Sequence, residues 1–396
     1  TTKICAVVGE PSENGGMDIV GIGTSPSTGL RKGVVVNIEQ TVQSIKRALE
    51  EAELMAGCEI RSVYAGIAGS HIKGFNSHGV IAVKGGEVSP RDIERALDAA
   101  KAVAIPLDRE VIHILPQEYI VDDQRGIADP MGMAGVRLEV KVHIVTGAVT
   151  SAQNIVRCHK SGLDVSDIVL ESLASAKAVL TEEEREIGVA LIDLGGGTCD
   201  IAIFANDSIK HTGVLALGGQ NLTNDIAFGL RTPMAAAEKI KIKHGAAIAE
   251  MVRPDEYIEV PSVGGREPRR LSRQVLAEIC EPRMEEILTL LDQELVRSGL
   301  KNMIGAGVVL TGGTALIQGC QELGEQVFNL PTRIGYPRNV GGLKDMVNSP
   351  KFATAMGLLR FGAEKEGMEQ KFRIRSDGNV FNSILSRMKK WFSEIS

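Results

Sequence analysis

Three glycine-rich turns hold most of the residues of this 396-residue chain that could do chemistry. The first is Asp193-Leu194-Gly195-Gly196-Gly197-Thr198, between the apolar runs Val189 to Asp193 and Asp200 to Phe204. Glycine takes positive φ cheaply and lets successive backbone N–H groups close around an anion. Thr198 adds a hydroxyl donor. Asp193, at the end of a buried strand, is placed to hold Mg2+ or its water shell. The same residues could also form an ordinary hairpin with a flexible tip. The second turn, Leu217-Gly218-Gly219-Gln220-Asn221, opens a helix whose free N–H groups favour phosphate. The third, Leu310-Thr311-Gly312-Gly313-Thr314, joins a strand to a helix, and its glycine pair lets a flat base lie against the backbone. Between them, Glu238 and Lys241 share one face of a helix opened by Thr232-Pro233. They could grip ribose hydroxyls and base edges, or form a solvated ion pair. No Gly-x-x-x-x-Gly-Lys-Ser/Thr occurs, so this is not a P-loop.

These turns need a large α/β framework. The chain is 43% hydrophobic and long enough for two or three cores. Its 44 glycines sit in a well-patterned sequence, which suggests tight strand–helix turns. A net charge of −6 argues against nucleic-acid binding. The cysteines at 5, 58, 158, 199, 280 and 320 lie far apart, as reduced thiols do, and the seven histidines show no metal-ligand spacing. No signal peptide pattern and no apolar run of spanning length occurs, so any membrane contact is expected to be peripheral.

The patterning predicts strands at Lys3 to Gly9, Asp18 to Gly23 and Ser62 to Ala68, and a helix over Ile38 to Ala56. A separate unit is expected over about 70–146, with a helix opened by Ser89-Pro90 and a half-exposed strand alternating from Val136 to Ile144. Helices are expected near 219–230, 233–243, 272–298 and 315–328. Thr1-Thr2-Lys3-Ile4-Cys5-Ala6 lines up with Thr198-Cys199-Asp200-Ile201-Ala202-Ile203, each a Thr followed by a buried strand. On that alignment an Asp-x-Gly half-turn is missing before Thr1. The chain is expected to begin inside a phosphate-binding turn and to bind nucleotide more weakly than an intact parent.

Near the end, Phe381, Ile384, Leu385, Met388, Trp391, Phe392 and Ile395 form a continuous helical stripe, with Arg387, Lys389 and Lys390 outside it. A charged linker at 363–380 precedes it. An isolated helix of this length is marginal in water and folds as it meets lipid, so an anionic bilayer surface is the expected partner. Packing on the chain's own core is the alternative.

Taken together and in order, these pieces resemble the actin and heat-shock chaperone ATPase superfamily. Asp193–Thr198 is similar to its second phosphate motif, Val308–Gly319 to its adenosine motif, and Thr1-Thr2-Lys3 to the tail of its first phosphate motif. Glu171-Ser172-Leu173-Ala174-Ser175-Ala176 resembles the first connecting helix and Ala353 to Gly362 the second. Ser172 stands where relatives commonly carry Pro. Closer still is a resemblance to the FtsA family of bacterial cell-division proteins, carried by Leu115-Pro116-Gln117-Glu118-Tyr119, Gly135 to His143, Val260-Pro261-Ser262-Val263-Gly264-Gly265-Arg266 and Ala277 to Arg283.

The resemblance implies an α/β, actin-like ATPase fold of two lobes with repeated phosphate-binding β-hairpins and an inserted subdomain. The first lobe would be 1–70 with 145–190, the inserted subdomain 70–146, and the second lobe 190–232 with 301–362. A further subdomain at 233–300 would bind the carboxy-terminal peptide of the tubulin-like FtsZ, at a groove assigned to Arg283, although an Arg after Pro282 could also simply salt-bridge its helix. ATP with Mg2+ is the implied cofactor, held by Thr1, Thr2, Lys3 and the residues of the three turns. Glu171 would orient water and Asp193 hold Mg2+, giving at most a slow ATPase. The implied activity is tethering FtsZ polymers to the cytoplasmic face of the bacterial inner membrane at the septum. Self-association into filaments and recruitment of later division proteins through the inserted subdomain go with it. A type IV pilus assembly protein of the same fold and a small-molecule kinase of the same superfamily are the alternatives.

Overall fold

The structure is a computed structural model describing residues 2–12, 15–157 and 163–375. The expectations for Thr1, for Phe381, Ile384, Leu385, Arg387, Met388, Lys389, Lys390, Trp391, Phe392 and Ile395, and for the repeat's missing half-turn lie outside the described residues.

Two hairpins meet at the centre of the fold. Strands Val189–Leu194 and Cys199–Ala205 pair antiparallel, with Asp193 opposite Asp200. They lie within a five-stranded sheet of order Ser208–Leu215, Cys199–Ala205, Val189–Leu194, Val308–Thr311, Thr332–Ile334, whose last two pairings are parallel. Both hairpin strands are buried throughout, which is why they read as unbroken apolar runs rather than alternations. The other hairpin joins Lys3–Pro11 to Met17–Pro26, with Val340–Gly342 parallel to the second strand. Helix Ile38–Ala56 lies on it, started by Asn37, whose side chain accepts the Gln40 N–H at 3.0 Å, and ended by left-handed Gly57. A Cβ at Gly23 would stand 1.8 Å from the Ala48 carbonyl oxygen, so only glycine allows that packing.

Helices Glu171–Val179 and Ala353–Arg375 cross between the two hairpin regions. A Cβ at Gly357 would stand 1.7 Å from the Ala174 carbonyl oxygen, so the crossing is backbone on backbone. Around them Met17, Ile19, Val179, Leu191, Phe352 and Met356 form a core shared by both hairpins. A second core joins Ile192, Leu194 and Ile201 to helices Gly219–Leu230, Met234–His244 and Arg273–Arg297 through Leu222, Ile226, Leu276 and Met284.

The unit around 70–146 is a four-stranded antiparallel sheet of order Lys73–Ala82, Arg137–Ala148, Arg109–Val121, Gln124–Ile127. Helix Pro90–Lys101 packs on it, opened by a reciprocal Ser89–Asp92 capping box. The unit has its own core of Val88, Ala96, Leu138, Val140, Val142 and Ile144.

Three local expectations change. Strand Arg137–Ala148 is covered on both faces toward its end: His143 is buried because that face packs on Ser208–Leu215, bonding Thr212 Oγ1 through Nε2 at 2.9 Å. The helix expected over 315–328 is a 3-10 turn, Thr314–Leu316, and then a helix, Cys320–Phe328, interrupted at Gly319 with φ 80°. The segment read as a linker at 363–380 is largely helical, because Ala353–Arg375 runs on through it. Its Glu, Lys, Met and Gln residues are good helix formers with no Pro among them, and Lys365 pairs with Asp167 at 2.7 Å.

Candidate nucleotide site

The turn Gly195–Thr198 is where the elements converge. Gly195 N–H donates to the Thr198 carbonyl at 2.9 Å and closes the hairpin tip. The Gly195 carbonyl accepts the Gly219 N–H at 3.0 Å and the Thr314 hydroxyl at 2.9 Å. The Gly196 carbonyl accepts the Gln220 N–H at 2.7 Å. One turn thus ties together the helix start at Gly218–Asn221 and the turn Gly312–Thr314. Glycine is required at these contacts. A Cβ at Gly218 would meet the Gly195 oxygen at 2.6 Å, and one at Gly312, whose φ is +86°, would meet Asp193 Oδ1 at 2.4 Å. Gly313 has only the Lys351 Cβ nearby, at 3.8 Å, so the backbone there is open to a flat ring. The first hairpin reaches the same place: a Cβ at Gly196 would stand 2.5 Å from Thr2 Cγ2.

The chemistry collects behind the tip. Asp193, 8% exposed, accepts hydrogen bonds at Oδ2 from Ser175 Oγ at 2.6 Å and Thr354 Oγ1 at 3.1 Å. Burial raises its carboxyl above the ordinary range, against those bonds and the pull of Lys3. Glu171 opens its helix beside Gly66, and burial, with the charge of Asp193, raises it as well. Asp200, 3% exposed, accepts the Thr198 hydroxyl at 2.9 Å through Oδ2, while its Oδ1 has no partner among the described residues. Burial pushes its carboxyl well up, and Glu171 and Asp193 add to this.

The sequence-derived residues therefore assemble, but several have other tasks than expected. The helix N-terminus does not offer free donors: Gly218 N–H donates to Asn221 Oδ1 at 3.2 Å, and Gly219 and Gln220 N–H are taken by the hairpin. The Gln220 amide bonds Asn224. Thr198 spends its hydroxyl on Asp200 rather than leaving it for an anion. The Thr198 and Gly218 bonds are local pairings, whereas the Gly219 and Gln220 N–H bonds cross from the helix start to the hairpin tip. Among the described residues, the N–H groups of Gly196 and Gly197 donate to nothing and remain available.

Glu238 and Lys241 are not a solvated pair. Lys241, 8% exposed, donates to Glu238 at 2.7 Å, Thr223 Oγ1 at 2.8 Å and the Gly219 carbonyl at 3.0 Å. They brace the floor of the cleft. Thr232, expected to cap their helix, makes no side-chain cap. Arg283 forks onto Asp225 of the neighbouring helix and also pairs with Glu286, so its guanidinium is held within its own lobe.

Asp200, Ser175 and Thr354 escaped the sequence reading. Asp200 left one signal: it sits seven residues after Asp193 across a tight turn, which places like charges directly opposite, an unfavourable pairing in a structural hairpin. Ser175 and Thr354 come from helices distant in sequence and left none.

These features fit a magnesium–nucleotide complex. A buried carboxylate oxygen lacks a partner, two N–H groups are free at a glycine tip, and the turn is lined where a Cβ would block approach. Among the described residues no three His, Cys, Asp or Glu side chains could hold a metal by themselves. Mg2+ takes one or two carboxylates and keeps waters and phosphate oxygens for the rest, and Asp193 and Asp200 are the carboxylates opposed at this turn.

Comparison with known proteins gives the following. Residues 190–357 match the family model "Cell division protein FtsA", and residues 69–146 match "SHS2 domain inserted in FTSA". The cell division protein FtsA of Pseudomonas aeruginosa is 52% identical over 99% of this chain and 95% of its own length. That of Neisseria meningitidis serogroup B is 45% identical with the same coverage. Among solved structures, the PilM-PilN type IV pilus biogenesis complex contains a chain that superposes with a TM-score of 0.64, covering 91% of this chain and 95% of that one, at 16% identity. That likeness speaks for the fold alone.

Proposed function

Because this chain belongs to the FtsA family of cell-division proteins, and has its actin-like fold, we propose that it binds ATP with Mg2+ and tethers FtsZ polymers to the cytoplasmic membrane. The observation that carries the nucleotide half is the convergence of three glycine turns on the Gly195 carbonyl, with Asp193 directly behind it. Magnesium, when bound with nucleotide, would offset phosphate charge. On the protein side, Gly196 and Gly197 N–H receive phosphate oxygens, the open backbone at Gly313, held in the turn between Gly312 and Thr314, receives the base, and Glu238 and Lys241 support the ribose end. Thr1, Thr2 and Lys3 complete the phosphate side from the first hairpin.

Asp193 is oriented for the cation by Ser175 and Thr354. Glu171 holds a water for attack on the terminal phosphate. Its raised affinity for a proton brings it closer to the working pH of a general base, but two neighbouring carboxylates oppose its ionisation. Turnover is accordingly slow, and nucleotide acts chiefly by setting the angle between the lobes and so the filament state.

The polymer-facing half rests on the family. The subdomain at 233–300 receives the FtsZ carboxy-terminal peptide near Arg283, where Phe228, 89% exposed and on the same helix face as Asp225, offers an apolar footing. The inserted subdomain serves self-association and later division proteins. No helix among the described residues is long and apolar enough to cross a membrane. Attachment at the septum falls to the stripe at 381–396, where three basic residues supply about 3 kcal/mol of attraction to anionic lipid. Filament formation turns many weak attachments into a firm one.

Calorimetry with MgATP tests the first half: the full chain binds, and absence of any heat would sink the site. Liposome flotation tests the second: deletion of 381–396 abolishes recovery with anionic vesicles, and undiminished recovery would remove the tether. Phosphate transfer to a small hydroxyl compound would favour a kinase instead.

A further inference from the structure

Helix Glu171–Val179 carries both Glu171 and Ser175, and Ser175 Oγ donates to Asp193 at 2.6 Å. The helix has no cap of its own. Leu170 stands at the N-cap position and its side chain makes no cap, where Ser, Thr, Asp or Asn would be usual. The hold on Leu170 comes from another unit: its backbone N–H donates to His113 Nε2 at 2.9 Å. His113 lies on strand Arg109–Val121 of the inserted sheet, and that strand is bulged beside it. Val111 stands opposite Thr146 and His113 opposite Val145, so Ile112 is an extra residue that re-aims the imidazole. The ring packs edge-on against Phe361 of the long helix, centroids 6.4 Å apart, and Phe361 packs in turn on Tyr64 at 6.2 Å. Of the charged groups near it, Asp167 and Lys365 pair with each other at 2.7 Å. Burial lowers the imidazole to about 4, so it is neutral near pH 7. Because Nε2 accepts, the proton sits on Nδ1.

A side chain that only filled this space would cost less as Leu or Phe, which have no polar ring to desolvate. The bulge and the buried imidazole together serve one contact, and that contact lies one residue before Glu171. We infer that His113 is a positioning residue for Glu171: through it the inserted subdomain fixes the start of the helix that presents the water-holding carboxylate, an inference that rests on the role proposed for Glu171. His113 acts through the backbone of Leu170 and not on nucleotide or water. Without the acceptor, the N–H of the buried Leu170 is left unpaired. The helix start then loosens and Glu171 loses its aim. The glycine turns that receive phosphate and base lie on other elements and keep their contacts.

Steady-state ATP hydrolysis by the full chain, together with amide hydrogen exchange over residues 165–176, tests this. His113→Phe keeps a ring against Phe361 without an acceptor, and His113→Gln puts an amide oxygen where Nε2 stood. His113→Phe lowers kcat about tenfold and leaves KM and affinity for MgATP within about twofold. Exchange at the helix start quickens in the same variant, and His113→Gln recovers most of both effects. A loss that falls on MgATP affinity instead of kcat, an unchanged kcat, or a Gln variant no better than the Phe variant overturns the inference. Glu171→Gln is the control. If it hydrolyses ATP no differently from the wild type, the reading of Glu171 fails by itself, and exchange alone decides whether His113 places the helix. Identical exchange in wild type and His113→Phe overturns that placement whatever the kinetics.

Discussion

The two central hairpins share a sequence pattern, Thr before an apolar strand, yet they carry opposite charge and different burial. The strand Lys3–Pro11 is only half-buried along most of its length, whereas Val189–Leu194 and Cys199–Ala205 are buried at every residue. On the repeat alignment, Lys3 stands where the second copy has Asp200. One jaw presents an ammonium beside open space, and the other hides two opposed carboxylates in a sheet. In the proposed nucleotide site the work would be divided: the buried jaw would hold the cation, and the shallower jaw would supply positive charge from the rim. Neither jaw is electrostatically comfortable alone, which is the mark of parts shaped for a ligand.

The largest test of that contrast strikes the buried jaw. Gly312→Ala puts a Cβ against Asp193 Oδ1 and strains a φ of +86°, which costs about 2–4 kcal/mol of stability. Thermal denaturation reads the loss, and an unchanged midpoint would mean the turn has slack the structure does not show. Next is Asp193→Asn, which lowers MgATP affinity about 100-fold while leaving ATP in EDTA nearly unchanged. Equal losses in both buffers would remove the cation role.

Third, the jaws differ in the sign of their pH response. Lys3 has a folded pKa of about 8, depressed from its ordinary value. Its penalty is therefore present in full below 8 and fades as pH rises toward the unfolded value. Lys3→Met gains stability of about 1 kcal/mol at pH 7, and the gain shrinks by pH 10. Asp200 is raised instead, so its penalty is absent at acid pH and grows as pH climbs from the unfolded value through the folded one. Asp200→Asn gains stability toward high pH. Chemical denaturation across pH checks both, and parallel slopes would erase the contrast. The smallest effect is Thr314→Val, which removes one bond to Gly195 and costs about 1 kcal/mol, because the Gly219 N–H still satisfies that carbonyl.

The buried jaw was legible in sequence because its glycines are demanded by backbone geometry, and geometry of that kind is local. What the sequence concealed is non-local. The Gly219 and Gln220 N–H groups looked free because their acceptors, Gly195 and Gly196, lie across a gap that only folding closes. Asp200 became meaningful only through its register with Asp193. Lys241 looked like half of a surface pair until Thr223 and Gly219 closed around it. The supposed linker erred the other way. Charge and weak patterning suggested a linker, but helix propensity was enough to carry Ala353–Arg375 onward.

That long helix has a mechanical consequence. Its second residue, Thr354, holds Asp193, and its pivot on Ala174 is Gly357, where no side chain cushions the contact. At 1.5 Å per residue the arm on the cleft side measures about 6 Å, and the arm out to Arg375 about 27 Å. It is a lever of unequal arms; Thr354 stands about 4.5 Å from the pivot, so a shift of about half an ångström at the carboxylate becomes a swing of roughly 3 Å at its far end.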